Sequence, residues 1–112
     1  MRREPAFVLD LTMDGAYAVV RAEGELDVAS VPRVQSAIRH AAHRSPRVVA
    51  DLRAVEFMDS FALAALIALQ RESEQSAWTL HCIAGQGIQR LLDLARARRA
   101  LRWIAPEQLT HA

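Results

Sequence analysis

The spacing of apolar residues changes period repeatedly along this chain, which confines it to folds where strands and helices take turns. Phe7, Leu9, Leu11 and Met13 fall on one side of an alternating run and Val8, Asp10 and Thr12 on the other, the period of a half-buried strand. Asp14-Gly15 supplies a hairpin turn and Ala16 to Ala22 continues as a second strand, which Gly24 is expected to break before Glu25-Leu26-Asp27. From Ser30 the period lengthens. Val34, Ala37, Ile38, Ala41 and Ala42 trace a helical stripe, with Ser30 as the expected N-cap and Pro32 in the first turn.

Ser45-Pro46 ends that helix, because proline disfavours helical geometry in the residue before it. Arg47 to Leu52 then reads as a buried strand, and Phe61 to Gln70, apolar almost all round, as a helix deep in the core. Trp78 to Ile83 is a further strand. Gly85-Gln86-Gly87 turns into a helix carried by Ile88, Leu91, Leu92 and Ala95, and Leu101 to Ile104 reads as a last short strand ended by Pro106. The order β-β-α-β-α-β-α-β predicts one α/β domain over 1–112, with parallel crossovers after an opening hairpin.

Composition removes several classes of function. The chain has 112 residues with 14 basic side chains against 13 acidic ones. That balance gives no overall field for nucleic acid or an acidic substrate. Cys82 is its single cysteine, so neither an internal disulfide nor a multi-cysteine zinc site is available. Arg2 and Arg3 imitate the start of a leader, but Glu4, Pro5 and Asp10 interrupt it, and the apolar run from Phe61 to Leu69 is too short to span a membrane. A cytoplasmic protein without a cofactor or metal is expected.

Two strand-to-helix junctions hold the residues of interest. At Asp59-Ser60 a serine hydroxyl can cap the following helix, and the same place tolerates a phosphate, since free N–H groups and the helix dipole both favour an anion. From the residues alone, capping ranks ahead of a phosphorylation switch. Glu25-Leu26-Asp27 with Ser30 reads likewise as a turn and cap. Parallel crossovers bring both junctions to the C-terminal edge of the sheet, where sites gather.

The runs Gly24 to Ser30, Val48 to Leu52 and Val55 to Ser60 resemble, in order and spacing and over nearly the whole chain, the STAS domain of anti-sigma factor antagonists. The resemblance implies a mixed, mostly parallel sheet with an N-terminal hairpin and helices largely on one face. It also implies a non-enzymatic protein that binds an anti-sigma factor with serine-kinase activity and so releases a sigma factor. By match of motif Ser60 is the phosphoacceptor, its phosphate breaking the complex until a serine phosphatase removes it. Asp27, Ser30, Asp59, Phe61 and Ala62 would lie at the partner surface. Two departures stand out: Phe61 and Ala62 occupy places where the family usually has serine or threonine and then glycine, and Ala97 to Leu101 replaces a common glycine-leucine pair. The first keeps open an alternative, a STAS accessory subunit of a transport complex or signalling scaffold that works without phosphorylation.

Other constellations carry less. Gly85-x-Gly87 would need its third glycine where Arg90 stands, so it is a tight turn rather than a dinucleotide fingerprint. His40 and His43 share a helix face without acidic or cysteine ligands, and His81 and Cys82 alternate along one strand. Arg96, Arg98, Arg99 and Arg102 form a local basic cluster that reads first as a solvated helix end, with contact to an acidic partner face left open.

Overall fold

The computed structural model describes residues 7–109; the leader-like Arg2, Arg3, Glu4 and Pro5 lie outside them. The hairpin is β1 (Val8–Asp14) and β2 (Tyr17–Leu26), followed by α1 (Val31–Arg44), β3 (Arg47–Met58), α2 (Ser60–Glu74), β4 (Thr79–Ile83) and α3 (Gln86–Leu94), then short 3₁₀ turns at Arg98–Ala100 and Pro106–Gln108. Gly15 turns the hairpin at φ 60°. The sheet runs β1-β2-β3-β4, with β1 antiparallel to β2 and the other pairs parallel. Because the order advances one strand at a time, crossovers of one hand keep α1 and α2 on the same face. There α1 packs on β2, α2 on β4 and α3 on β3.

Strand alternation explains how the sheet is covered. Ala18, Val20 and Ala22 of β2, Val48, Ala50 and Leu52 of β3, and Leu80 and Cys82 of β4 join the helix-side core with Ile38, Leu66, Ile88 and Leu92. Their neighbours Val19, Val49 and Ile83 form a second cluster on the other face, closed over by Tyr17, Ile104 and Leu109. Burial on both faces is why Val48 to Leu52 reads as a nearly continuous apolar run.

Three expectations change. Gly24 does not end β2: it takes φ 110° at one of two register shifts that let β2 and β3 stay paired as far as Leu26 and Met58, so the glycine absorbs a bulge. Residues 101–104 make one parallel bridge, Cys82 with Trp103, and not a strand. The Arg102 carbonyl accepts from Cys82 N–H at 2.7 Å and the Cys82 carbonyl from Ile104 N–H at 3.0 Å, after which Pro106 opens a 3₁₀ turn. Lastly, Gly85 and Gly87 do more than turn the chain. A Cβ on Gly85 would stand 2.6 Å from the Arg53 carbonyl oxygen, and one on Gly87 would stand 2.4 Å from that of Val55, so the start of α3 lies backbone-to-backbone on β3.

Candidate functional site

The parallel strands end together, and both junctions of interest lie at that edge. Leu26 pairs with Met58, and the Asp59 N–H donates to the Leu26 carbonyl at 3.1 Å, so the loop before α1 and the start of α2 are hydrogen-bonded neighbours.

In the first junction Asp27 and Ser30 bind each other. Asp27 Oδ1 accepts from Ala29 N–H at 3.0 Å and Ser30 N–H at 3.2 Å, an aspartate turn. Ser30 Oγ accepts from Asp27 N–H at 3.0 Å and has the Glu25 carbonyl at 3.1 Å to donate to. Ser30 occupies the N-cap position of α1, yet its side chain makes no capping bond; it is buried at 6% exposure, tying the loop back to the end of β2. The expected role as a hydroxyl cap is thereby corrected, the loop having claimed that oxygen.

The second junction uses the same residue types differently. Asp59, extended at φ −88° and ψ 172°, is the N-cap of α2, and its Oδ1 accepts from Ala62 N–H at 2.8 Å. Ser60 is therefore not the cap but the first residue of the helix. Aspartate one position earlier has the reach to the third helical N–H, which leaves the serine redundant for that purpose. Ser60 is exposed, and its hydroxyl has no hydrogen-bond partner among the described residues.

The edge that carries Ser60 presents both apolar and acidic side chains. Val28 is 60% exposed, Phe57 51% and Phe61 54%, three sizeable hydrophobic residues at one edge. Glu23, Glu25 and Glu56 are exposed and Asp27 and Asp59 half-buried, and none of these five enters an ion pair among the described residues. Ala62 is buried at 1%, so it and Ser30 shape the site from beneath while Asp27, Asp59, Ser60 and Phe61 reach its surface. Sequence reasoning missed Val28 and Phe57. The available signal was the spacing of buried Leu52, Val55 and Met58, which departs from period two and turns Phe57 outward.

Remaining polar groups serve the fold. Asp51, buried at 3% exposure, is held by Arg53 through Nε at 2.9 Å and Nη2 at 2.7 Å. Burial pushes that carboxyl up, but the Arg53 hydrogen bonds outweigh it and leave it below its ordinary value. Cys82 and His81 face opposite sides of β4: burial pushes the Cys82 thiol up to about 12, far from a nucleophilic thiolate. His81 is lowered by burial and by Arg102 and Arg47. Among the described residues no group of three His, Cys, Asp or Glu side chains is placed to hold a metal ion, and no helix is long and apolar enough to cross a membrane.

Comparison with known proteins agrees with this architecture. A family model described as "Mlab, STAS domain" matches residues 9–102. Among solved structures, an anti-sigma factor antagonist from Mycobacterium paratuberculosis is 24% identical with a TM-score of 0.72, covering 90% of this chain and 86% of that one. The anti-sigma factor antagonist SpoIIAA in its unphosphorylated form is 21% identical with a TM-score of 0.65, covering 92% of each chain. The Bacillus cell fate determinant SpoIIAA in its phosphorylated form is 20% identical with a TM-score of 0.62, covering 92% of this chain and 95% of that one. No curated protein matches the sequence significantly. At these identities the structural likeness is one of fold.

Proposed function

The chain belongs to the STAS domain family, and from that premise we propose that it is an anti-sigma factor antagonist switched by phosphorylation of Ser60. Its unmodified Ser60 face binds an anti-sigma factor with serine-kinase activity in the cytoplasm and thereby frees a sigma factor. The chain is the kinase's substrate and does no catalysis of its own, and a serine phosphatase reverses the modification. The observation that carries this reading is the state of Ser60, exposed and unbonded at the first position of α2 because Asp59 has taken the cap.

Physical chemistry makes that position suitable. A phosphate there meets the free N–H groups and positive dipole end of α2, so the fold tolerates it. The partner surface does not, because about −1.5 to −2 of charge arrives beside Asp27 and Asp59 and between Val28, Phe57 and Phe61. Burying an unpaired charge in an interface costs on the order of 2–5 kcal/mol, a loss of roughly thirtyfold to several thousandfold in affinity. Asp27 and Phe61 are the proposed contacts, with Ser30, Asp59 and Ala62 fixing the loops that carry them.

Intact-mass measurement of the protein from its host, beside Ser60→Ala and with capture of bound partners, tests the reading. The expected result is a phosphate mass that disappears in Ser60→Ala, and a kinase-type partner held only by the unmodified form. The exposure of Phe57 and Phe61 favours a second reading, an accessory subunit of a transport complex or scaffold, since an apolar face of that kind binds without a phosphate. Absence of the phosphate together with transport or scaffold partners would select it.

A further inference from the structure

A net charge of +1 conceals two opposed ends. Parallel strands and the helices returning between them give the domain a definite axis, from the strand C-termini at Ser60 to the helix C-termini. Five unpaired acidic residues occupy the Ser60 end, as described above. At the other end Arg44, Arg47, Arg71, Arg96 and Arg99 are all exposed, and none has an ion-pair partner among the described residues. Arg44 and Arg71 lie in last helical turns, where complementing the helix dipole explains them. Arg96 and Arg99 lie beyond the end of α3, and Arg96 takes φ 53°, a left-handed position that favours glycine. Beside them Leu94 is 77% exposed.

We propose that this basic end docks on the acidic end of a second copy of the chain, producing reversible head-to-tail self-association. Both halves of the contact are present on one molecule. Exposed arginines and an exposed leucine lie toward one end, and exposed carboxylates with Val28, Phe57 and Phe61 lie toward the other, which matches charge with opposite charge and apolar surface with apolar surface. The two surfaces differ, so the contact is heterologous and can repeat from copy to copy. If the reading under Proposed function holds, the acidic end is also the partner face, and self-association and partner binding exclude each other.

Sedimentation velocity on the full chain, over a concentration series at low and at high salt, tests this without any partner. The expected result is concentration-dependent growth that high salt weakens at least tenfold. Arg96→Glu with Arg99→Glu, and separately Glu25→Arg with Glu56→Arg, should each abolish growth while keeping a folded circular dichroism spectrum. Mixing the two variants should restore association, because each then supplies the end the other lacks. A wild type that stays monomeric at every concentration overturns the proposal, as does growth that ignores both variants or a mixture that fails to associate. Salt-sensitive binding of a monomeric wild type to phosphatidylglycerol vesicles, lost in Arg96→Glu with Arg99→Glu, would assign the basic end to a lipid surface instead.

Discussion

The two strand-to-helix junctions use nearly the same residues and do opposite things with them. Before α1, Asp27 and Ser30 bond to each other and to the end of β2, and the serine is buried. Before α2, Asp59 alone caps the helix and Ser60 is left outward with its hydroxyl unused. The separation between aspartate and serine decides the outcome. Three residues apart, the serine folds back under the turn its aspartate makes; adjacent, the aspartate takes the cap and the serine is carried past it into the first turn. One junction is therefore a structural joint, and the other leaves an exposed, unbonded hydroxyl in the first turn of a helix.

The largest expected effect falls on partner binding at the second junction. Ser60→Asp should weaken capture of the kinase-type partner by roughly thirtyfold or more, and Ser60→Ala should retain it, as titration calorimetry against the captured partner would measure. Equal binding by Ser60→Asp and Ser60→Ala would break the contrast, because the hydroxyl would then be as incidental to function as that of Ser30.

Stability should show the reverse contrast. Ser30→Ala removes a buried acceptor from Asp27 N–H and a donor from the Glu25 carbonyl, and should cost about 1–3 kcal/mol. Ser60→Ala removes an exposed, unbonded hydroxyl and should stay within about 0.5 kcal/mol of wild type. Urea denaturation of the two variants measures the difference directly, and comparable losses would mean that Ser60 is a structural cap after all.

Much of this was legible in the sequence, and the exceptions have a common cause. Switches of apolar period marked all of the helices and the parallel strands, because each element shows the core one face or stripe. What period could not reveal was the continuation of β2 through Gly24 and of β3 past Leu52. Register shifts between the two strands scramble alternation just where the site begins, and Phe57 is turned outward there. At Asp59-Ser60 either side chain is a good cap, and only backbone geometry decides between them. Net charge was the least informative quantity, since a sum does not distinguish acids and bases joined in ion pairs, such as Arg39 with Glu72, from those the topology sets apart, such as Glu56 and Arg99.

The cap itself gives a smaller test. Asp59→Ala frees the Ala62 N–H and should cost about 1 kcal/mol; Asp59→Asn, which keeps an acceptor, should recover most of it. With the aspartate gone, Ser60 becomes the residue best placed to cap α2, at the cost of shortening the helix by its first residue. Phosphorylation by the kinase-type partner should then slow in Asp59→Ala but not in Asp59→Asn, whereas a rate unchanged in both would separate the cap from the freedom of the hydroxyl.

The smallest expected effect lies outside both junctions and serves as their control. His81 on β4 is lowered by burial first and by Arg102 and Arg47 after it, and its Nδ1 is buried without a partner among the described residues. The folded state therefore prefers the neutral ring. Its contribution to stability is complete above the ordinary histidine value of about 6.5, and declines as pH falls from there toward the lowered folded value, because the unfolded chain takes up the proton first. Thermal unfolding between neutral and mildly acidic pH should show that decline in wild type and a flatter profile in His81→Gln. Asp51 leaves this window untouched: its carboxyl is held below its ordinary value, so its stabilisation is lost only at lower pH. Neither junction contains a histidine, so Ser30→Ala and Ser60→Ala should each keep the wild-type slope while differing in absolute stability. A slope that changed in either would mean that the serine sets the proton uptake of its junction, and would undo the division between a locked serine and a free one.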